Sequence, residues 1–219
     1  MITWLPPPRD SEAKLEHILR HAAQIFAEQG FEGASIRDIS RATGVSLAGL
    51  YYYFDSKQNL LYLIQNNTFT RVLDSARLRL SGVYDPVDRL RVLVQNHVEY
   101  FLSHRNEMKV LSHEDDALEE PYREKVAAIK RRYYGLAREI FDSIPVDGLT
   151  PSINPRLAVL SLFGMMNWVY KWHNAKVDPG ATELTDAIVG IFLHGVLPTP
   201  AEHKSLNLAA TPAGDAAGR

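Results

Sequence analysis

Ser35-Ile-Arg-Asp-Ile-Ser-Arg-Ala-Thr-Gly44-Val-Ser46-Leu-Ala-Gly-Leu-Tyr51-Tyr-Tyr-Phe54-Asp-Ser56-Lys57 is the stretch that decides how the chain is read. Ser35 suits an N-cap, because its hydroxyl can accept from the unpaired N–H groups of a first helical turn. Asp38 stands three residues on, where a carboxylate reaches back to the cap and complements the positive helix end. Ile36, Ile39 and Ala42 recur at helical spacing and predict an inner face. Gly44 is placed to take the left-handed conformation that stops the helix, and Val45 can plug the corner. Ser46 then caps a second helix, expected to run to about Phe54, and Ser56 opens a third.

Helix, glycine turn, helix is the helix-turn-helix pattern, whose second helix is shaped to enter a DNA major groove. Leu50 and Phe54 are spaced to face inward. Leu47, Ala48 and Gly49 are small or uncharged, so the backbone could approach base edges closely. Tyr51, Tyr52 and Tyr53 cannot all be core, and their hydroxyls suit phosphate oxygens. Lys57 falls in the first turn of the next helix, where a free N-terminus also attracts phosphate. Spacing alone leaves a second reading open, an ordinary helical corner with surface tyrosines.

The order of residues goes further. Phe26-Ala-Glu-Gln-Gly30-Phe31, the stretch above, and Ser56-Lys57-Gln-Asn-Leu60-Leu61 closely resemble the N-terminal domain of TetR/AcrR-family transcriptional regulators, continuously from about Leu15 to Leu63. The resemblance implies an all-α homodimer. An N-terminal three-helix helix-turn-helix domain would bind operator DNA, and a C-terminal helical domain would bind a small effector and dimerise. Ser46, Leu47, Ala48, Gly49 and Tyr52 match positions that meet base edges or nearby backbone. Ser35, Tyr51, Tyr53 and Lys57 match positions that meet phosphate. One departure stands out: Ala48-Gly49 replaces the Gly followed by Thr or Ser that is common in the family, so a hydroxyl is missing there.

The totals agree with a globular regulator and exclude other classes. The chain has 219 residues, 46% hydrophobic and 23% charged, which fits an ordinary globular protein. No apolar run approaches the length that spans a bilayer, so no membrane partner is expected. No basic region followed by an apolar core opens the chain, and there is no cysteine, so a cytoplasmic location is expected and thiolate chemistry is excluded. The net charge is −2. The first sixty residues carry six cations (Arg9, Lys14, Arg20, Arg37, Arg41, Lys57) and seven anions (Asp10, Glu12, Glu16, Glu28, Glu32, Asp38, Asp55). DNA affinity would therefore have to come from local placement, backbone N–H groups and duplication in a dimer.

Four segments follow: a flexible arm over 1–10, the helix-turn-helix domain over 11–56, an effector-binding and dimerisation domain over 57–197, and a disordered tail over 198–219. Asp10 or Ser11 caps the first helix, which Gly30 ends. His17 and His21 lie one turn apart, but no third metal ligand is evident nearby. From Lys57 no glycine or proline interrupts the pattern to about Leu80. Such a helix of roughly 24 residues spans about 36 Å, enough to link two domains. Asp85-Pro86 and Asn154-Pro155 each read as a cap followed by proline at the first helical position. Ser103 to Glu120 reads as irregular. Its His113-Glu-Asp-Asp116 run is open to a divalent metal or to a plain solvated connection. A long helix from Pro121 carries Val126, Ile129, Tyr133, Leu136 and Ile140 at helical spacing.

The helix from Leu157 to Trp172 is apolar nearly all round and so needs two partners, its own core and a second copy. Leu160, Met166 and Trp172, with Leu184, Ile188 and Ile191 of the last helix, are the expected dimer interface. Gly164-Met-Met-Asn-Trp168-Val-Tyr170-Lys-Trp172 also resembles TetR-family regulators of fatty-acid, steroid or aromatic-acid breakdown, several of which answer to acyl-CoA thioesters. The effector residues expected on that basis are His97, Phe101, Met108, Tyr133, Phe163 and Trp168 around an apolar tunnel, with Arg105, Lys109, Arg131 or Arg132 near phosphates. The same aromatics also suit plain core packing, and His97 suits a hydrogen-bonded core position. No resident cofactor or structural metal is expected. Other functional classes are a helical adaptor that uses the corner for protein contacts, or a metal-dependent enzyme built on His113–Asp116. No glycine-rich phosphate loop or nucleophile elbow supports the latter.

Overall fold

The computed structural model describes residues 9–114, 116–145 and 153–196. Residues 1–8 of the expected arm, Asp115, residues 146–152 and the expected tail over 198–219 lie outside the described residues. Among those described, the chain forms nine helices and no strand: α1 (Arg9–Gly33), α2 (Ile36–Thr43), α3 (Leu47–Tyr51), α4 (Lys57–Leu80), α5 (Pro86–Ser103), α6 (Arg105–His113), α7 (Tyr122–Asp142), α8 (Pro155–Trp172) and α9 (Ala181–Val196). None of the described helices is long and apolar enough to cross a membrane.

Two apolar cores account for this order. Ile18, Ala22 and Phe26 of α1, Ile39 of α2, Leu50 and Phe54 make the first, which Leu60, Leu61 and Ile64 from the start of α4 complete. Val72, Leu73, Ala76 and Leu80 from the other end of α4 belong to the second, with α5, α7, α8 and α9. One uninterrupted helix thus has its first turns in one core and its last turns in the other. Asn96, buried on α5, fixes it to the second core: its amide donates to the Val72 carbonyl (3.0 Å) and accepts from the Ser75 hydroxyl (2.7 Å).

Local chemistry sets most helix ends. Ser35 and Asp38 form a reciprocal capping box, and Gly44 closes α2 with φ 67°. Ser56 caps α4, accepting from the Asn59 N–H at 3.0 Å. Asp85 and Asn154 cap α5 and α8, each followed by proline. Several ends differ from expectation. α1 begins at Arg9, so Asp10 and Ser11 sit inside its first turn rather than before it. Ala42 is exposed and Ile36 half-buried, which leaves Ile39 to carry the inner face of α2. α3 stops at Tyr51, and Tyr52 and Tyr53 form a turn. The segment read as irregular holds α6. It is cut from α5 without glycine or proline: the Ser103 hydroxyl donates to the Glu99 and Tyr100 carbonyls, and the His104 ring contacts the Tyr100 carbonyl at 2.8 Å.

α6 joins the two cores. Val110 is buried in the first, while Met108 and Leu111 are buried in the second. At its end the Glu114 carboxylate accepts from the Phe31 N–H at 3.0 Å, and the Glu114 carbonyl accepts from the Gln65 amide at 3.2 Å. Gln58 adds a two-way bond, donating to the Ala117 carbonyl (2.8 Å) and accepting from the Glu119 N–H (3.2 Å). The first of these contacts depends on Gly30, whose φ of 75° and ψ of 159° fall where a side chain is strained. That backbone turn lets Phe31 fold back onto Phe26, ring centroids 5.4 Å apart. Gly30→Ala should therefore destabilise the protein by about 1–3 kcal/mol. Gly33→Ala, in helical backbone with 4.0 Å of clearance, should change stability by less than about 0.5 kcal/mol. Urea denaturation of both variants measures the contrast.

Candidate nucleic-acid interface and effector cavity

The turn between α2 and α3 is tied by side chains to its own backbone. The Ser40 hydroxyl donates to the Val45 carbonyl (2.6 Å), and the Thr43 hydroxyl donates to the Ile39 carbonyl (2.8 Å) and accepts from the Val45 N–H (3.3 Å). Ser46 caps α3 by accepting from the Gly49 N–H at 3.1 Å. Leu50 and Phe54 are buried and hold α3 down, so its other face is turned out: Leu47, Ala48, Tyr51 and Tyr52 are exposed, Tyr52 most of all at 76%. The outward face is thus uncharged and ends in phenol hydroxyls, a surface able to meet base edges and phosphate oxygens.

Three residues of this region sit differently from the sequence reading. Gly49 is half-buried, and a Cβ there would lie 3.0 Å from Val45 Cγ1 and 3.2 Å from Ser46 Oγ. A side chain at this position would press on Val45 and Ser46, because this α3 packs closely on its own cap. Tyr53 is half-buried against the first core, edge-on to Tyr52 with centroids 5.1 Å apart. Lys57 does not extend outward. Its ammonium donates to the Glu32 (3.3 Å) and Ala34 (3.2 Å) carbonyls and lies 4.4 Å over the Phe31 ring. It closes carbonyls that the end of α1 leaves unpaired.

A second feature lies in the body. A cavity of about 350 Å³ is lined by Phe69 of α4, His97 and Phe101 of α5, Met108, Leu111 and Ser112 of α6, Lys130, Tyr133 and Tyr134 of α7, and Leu160, Phe163 and Asn167 of α8. The structure brings together His97, Phe101, Met108, Tyr133 and Phe163, all five read from sequence. Phe69 is a wall residue that was missed, and the Lys130 ammonium sits 5.4 Å over its ring. Helical periodicity places such residues on a helix but does not say which helices face one void. His97 is the polar group of the floor. Its Nδ1 shares a hydrogen bond with the Tyr133 hydroxyl at 3.2 Å, and its Nε2 is buried without a partner. Burial pushes its pKa down to about 3, countered slightly by the nearby Asn167 amide, so the ring is neutral at physiological pH. Burial also raises the Tyr133 phenol, which stays protonated.

The remaining expected effector residues lie elsewhere. The Arg105 guanidinium donates to the Tyr170 (3.1 Å) and His173 (2.9 Å) carbonyls, closing the end of α8. Lys109 faces the crevice between α1 and α6 beside Gly30, His113 and Glu114. Trp168 is 60% exposed on the outside of α8. Within the His113–Asp116 run, Asp115 lies outside the described residues, and His113 and Glu114 have separate partners. His113 contacts the Tyr170 hydroxyl at 3.2 Å, Glu114 binds Phe31, and no metal-holding cluster occurs among the described residues.

The expected dimer face also needs redrawing. Met166, Leu184 and Ile188 are buried in the protomer's own core. Leu160 and Trp172 of α8 and Ile191 of α9, the other three expected residues, are exposed, and Leu157 and Trp168 of α8 are exposed with them. An apolar groove of about 440 Å³ runs between these helices, lined by Leu157, Met165 and Ile191 among others. α8 was read as apolar all round, and its composition does not say which stripe the core takes.

Comparison with known proteins agrees with both halves. Residues 18–62 match the model of bacterial regulatory proteins of the tetR family, and residues 84–196 match the tetracyclin repressor-like C-terminal domain. The HTH-type transcriptional regulator YvdT of Bacillus subtilis is 28% identical over 161 residues, 73% of this chain and 81% of that protein. The HTH-type transcriptional repressor NicS of Pseudomonas putida is 28% identical over 137 residues, covering 61% and 64%. Among solved structures, AibR in complex with isovaleryl coenzyme A and operator DNA superposes with a TM-score of 0.71 at 28% identity, over 81% of this chain and 97% of that one. The chain belongs to the TetR family of bacterial transcriptional regulators.

Proposed function

We propose that the protein is a cytoplasmic, homodimeric repressor that leaves its operator when an acyl-CoA thioester enters the cavity. The observation that carries the effector half is the position of α6. Met108, Leu111 and Ser112 line the cavity, while Val110 on the same helix and Glu114 just past its end hold the first core. A group that fills the cavity presses on α6, and α6 is bonded to the end of α1. The ligand then favours whichever position of the DNA-binding head leaves room for it, which is a population shift. The two α3 helices of a dimer must match successive major grooves about 34 Å apart, so a modest swing of each head is enough to lose the match.

Similarity to AibR supports a thioester, and the cavity's size decides how one would sit. A void of about 350 Å³ is at the low end for ligand sites, so only the acyl group is enclosed. The coenzyme lies outside, on the side of Lys130. For the DNA half, the outward Leu47, Ala48, Tyr51 and Tyr52 are the contact surface, with Ser35 and Ser46 at the two helix N-termini. The head comprises the segment to about residue 56 together with the first turns of α4, and the remainder to about 197 binds effector and dimerises. The second copy covers Leu157, Leu160, Trp168, Trp172 and Ile191. Exposed apolar side chains grouped on one face mark an interaction surface, and α8 with α9 doubled across a twofold gives a four-helix bundle.

Fluorescence anisotropy on DNA from upstream of the protein's own gene tests the reading. The expected result is saturable binding that one acyl-CoA reverses and free coenzyme A does not. Thioesters without effect on a bound complex would discard the effector and keep the repressor. Glu114→Ala should leave thioester binding intact but blunt DNA release. Tyr51→Phe should weaken every DNA sequence alike, by roughly fivefold for one lost phosphate hydrogen bond. Lys57→Ala should act mainly through stability, costing about 1–3 kcal/mol for the carbonyls it uncovers. Sedimentation of Trp168→Glu should show a monomer, and the same variant should lose operator binding.

A further inference from the structure

We infer that His97 is the specificity group of the cavity and that the enclosed part of the effector is a hydroxylated aromatic ring, its hydroxyl bonded to His97 Nε2. This rests on the assignment of the cavity as the effector site. The floor is built from rings. Around the imidazole stand Phe101 (centroids 4.4 Å apart), Tyr133 (5.9 Å) and Phe163 (6.1 Å), and Tyr133 and Phe163 meet edge to face at 5.5 Å. Such a lining favours a flat ring, whose edges and faces complement those of its neighbours. Into this apolar floor the chain places one polar atom without a partner, His97 Nε2, on a residue only 2% exposed. The exposed Asn167 amide stands near enough to the ring to counter part of the effect of burial on its pKa, yet Nε2 has no hydrogen-bond partner.

A buried polar atom left unpaired is unfavourable, and a ligand that pairs it recovers that loss. The chemistry of the missing partner follows from the neutral ring. When the Tyr133 hydroxyl donates to Nδ1, Nε2 carries the proton and needs an acceptor. When Nδ1 donates to Tyr133, Nε2 needs a donor. A hydroxyl satisfies either tautomer, whereas a methyl group of similar size satisfies neither. Plain hydrocarbon in the same place would cover Nε2 and leave it unpaired, and sites of this kind reject such analogues strongly.

Four probes separate this inference from the thioester reading: 4-hydroxybenzoyl-CoA, 4-methylbenzoyl-CoA and the two corresponding free acids, titrated calorimetrically into the intact dimer. The hydroxyl member of each pair should bind at least about tenfold tighter than the methyl member, the worth of one well-made buried hydrogen bond. In His97→Phe the difference should shrink to less than about threefold, and His97→Gln, which keeps a donor and an acceptor, should restore it. Equal affinity of hydroxyl and methyl members for the wild-type protein overturns the inference, and so does a preference that survives in His97→Phe. No binding of any of the four overturns it too. The thioester reading is judged along the other axis: free acids that bind and release DNA as well as their thioesters would remove the coenzyme and leave the role of His97 standing.

Discussion

The hydrogen bond from the Phe31 N–H to the Glu114 carboxylate is the contact on which the arrangement of the two cores depends. It spans 83 residues of sequence, and only glycine at position 30 holds the backbone in the turn that presents this N–H without strain. Around it gather the Gln65 and Gln58 bonds to the chain just after α6 and, further along α1, the Glu16–Arg71 ion pair at 3.0 Å. That pair holds the Glu16 carboxyl below the usual range, first through its hydrogen bond to Arg71. It is partly exposed and screened by solvent, so it adds little energy. The bonds at Glu114 act at a half-buried site and fix geometry, because an unpaired N–H there would be costly.

α4 and α6 reach this joint in different ways. α4 is continuous and places residues in both cores, so a push on its far end is delivered to its near end as a rigid rod. α6 is short and lacks a side-chain cap at its start. Its backbone is therefore easier to displace, and one face of it already lines the cavity. The protein thus has a stiff link and a soft one between the same two bodies. The length of α4 points to it as the link between the domains, whereas the cavity wall and the Glu114 bond point to α6. The two agree when displacement of α6 pivots the head about α4.

What the sequence made legible is the chemistry that acts over three or four residues. The capping box at Ser35, the caps at Ser46 and Ser56, Gly44 and the two cap–proline pairs all stand where side-chain type predicts them. What stayed hidden depends on partners far along the chain or on breaks made without glycine or proline. α6 went unseen because Ser103 and His104 end α5 by bonding its last carbonyls, a competition that ordinary polar residues conceal. Lys57 looked outward because its partners, Glu32 and Ala34, lie more than twenty positions away. Arg105 and Lys109 read as phosphate ligands on charge alone, and the fold gives Arg105 to the end of α8. In α8 the apolar pattern showed that two faces need cover but left open which stripe belongs to the core, so Met166, expected at the dimer face, lies in the core, and Trp168, expected at the cavity, stands exposed.

The use of charge in the head bears on how a regulator of this kind lets go of DNA. Lys57 is turned onto backbone carbonyls, and Arg41 is paired with Asp38, whose carboxyl the Ser35 hydroxyl already holds below its usual range. The outward side of α3 is uncharged. A head with many free cations would cling to phosphates over a Debye length of about 8 Å, and a small misalignment would weaken it only gradually. Hydrogen bonds from tyrosine hydroxyls and helix N-termini act over about 3 Å and lose most of their strength when the geometry slips. In the proposed dimer each head is weak alone and two in register are needed, so a swing of a few ångströms at each is enough to break the complex. Sparse charge, which at first counts against DNA binding, suits the ligand-triggered release proposed for this protein.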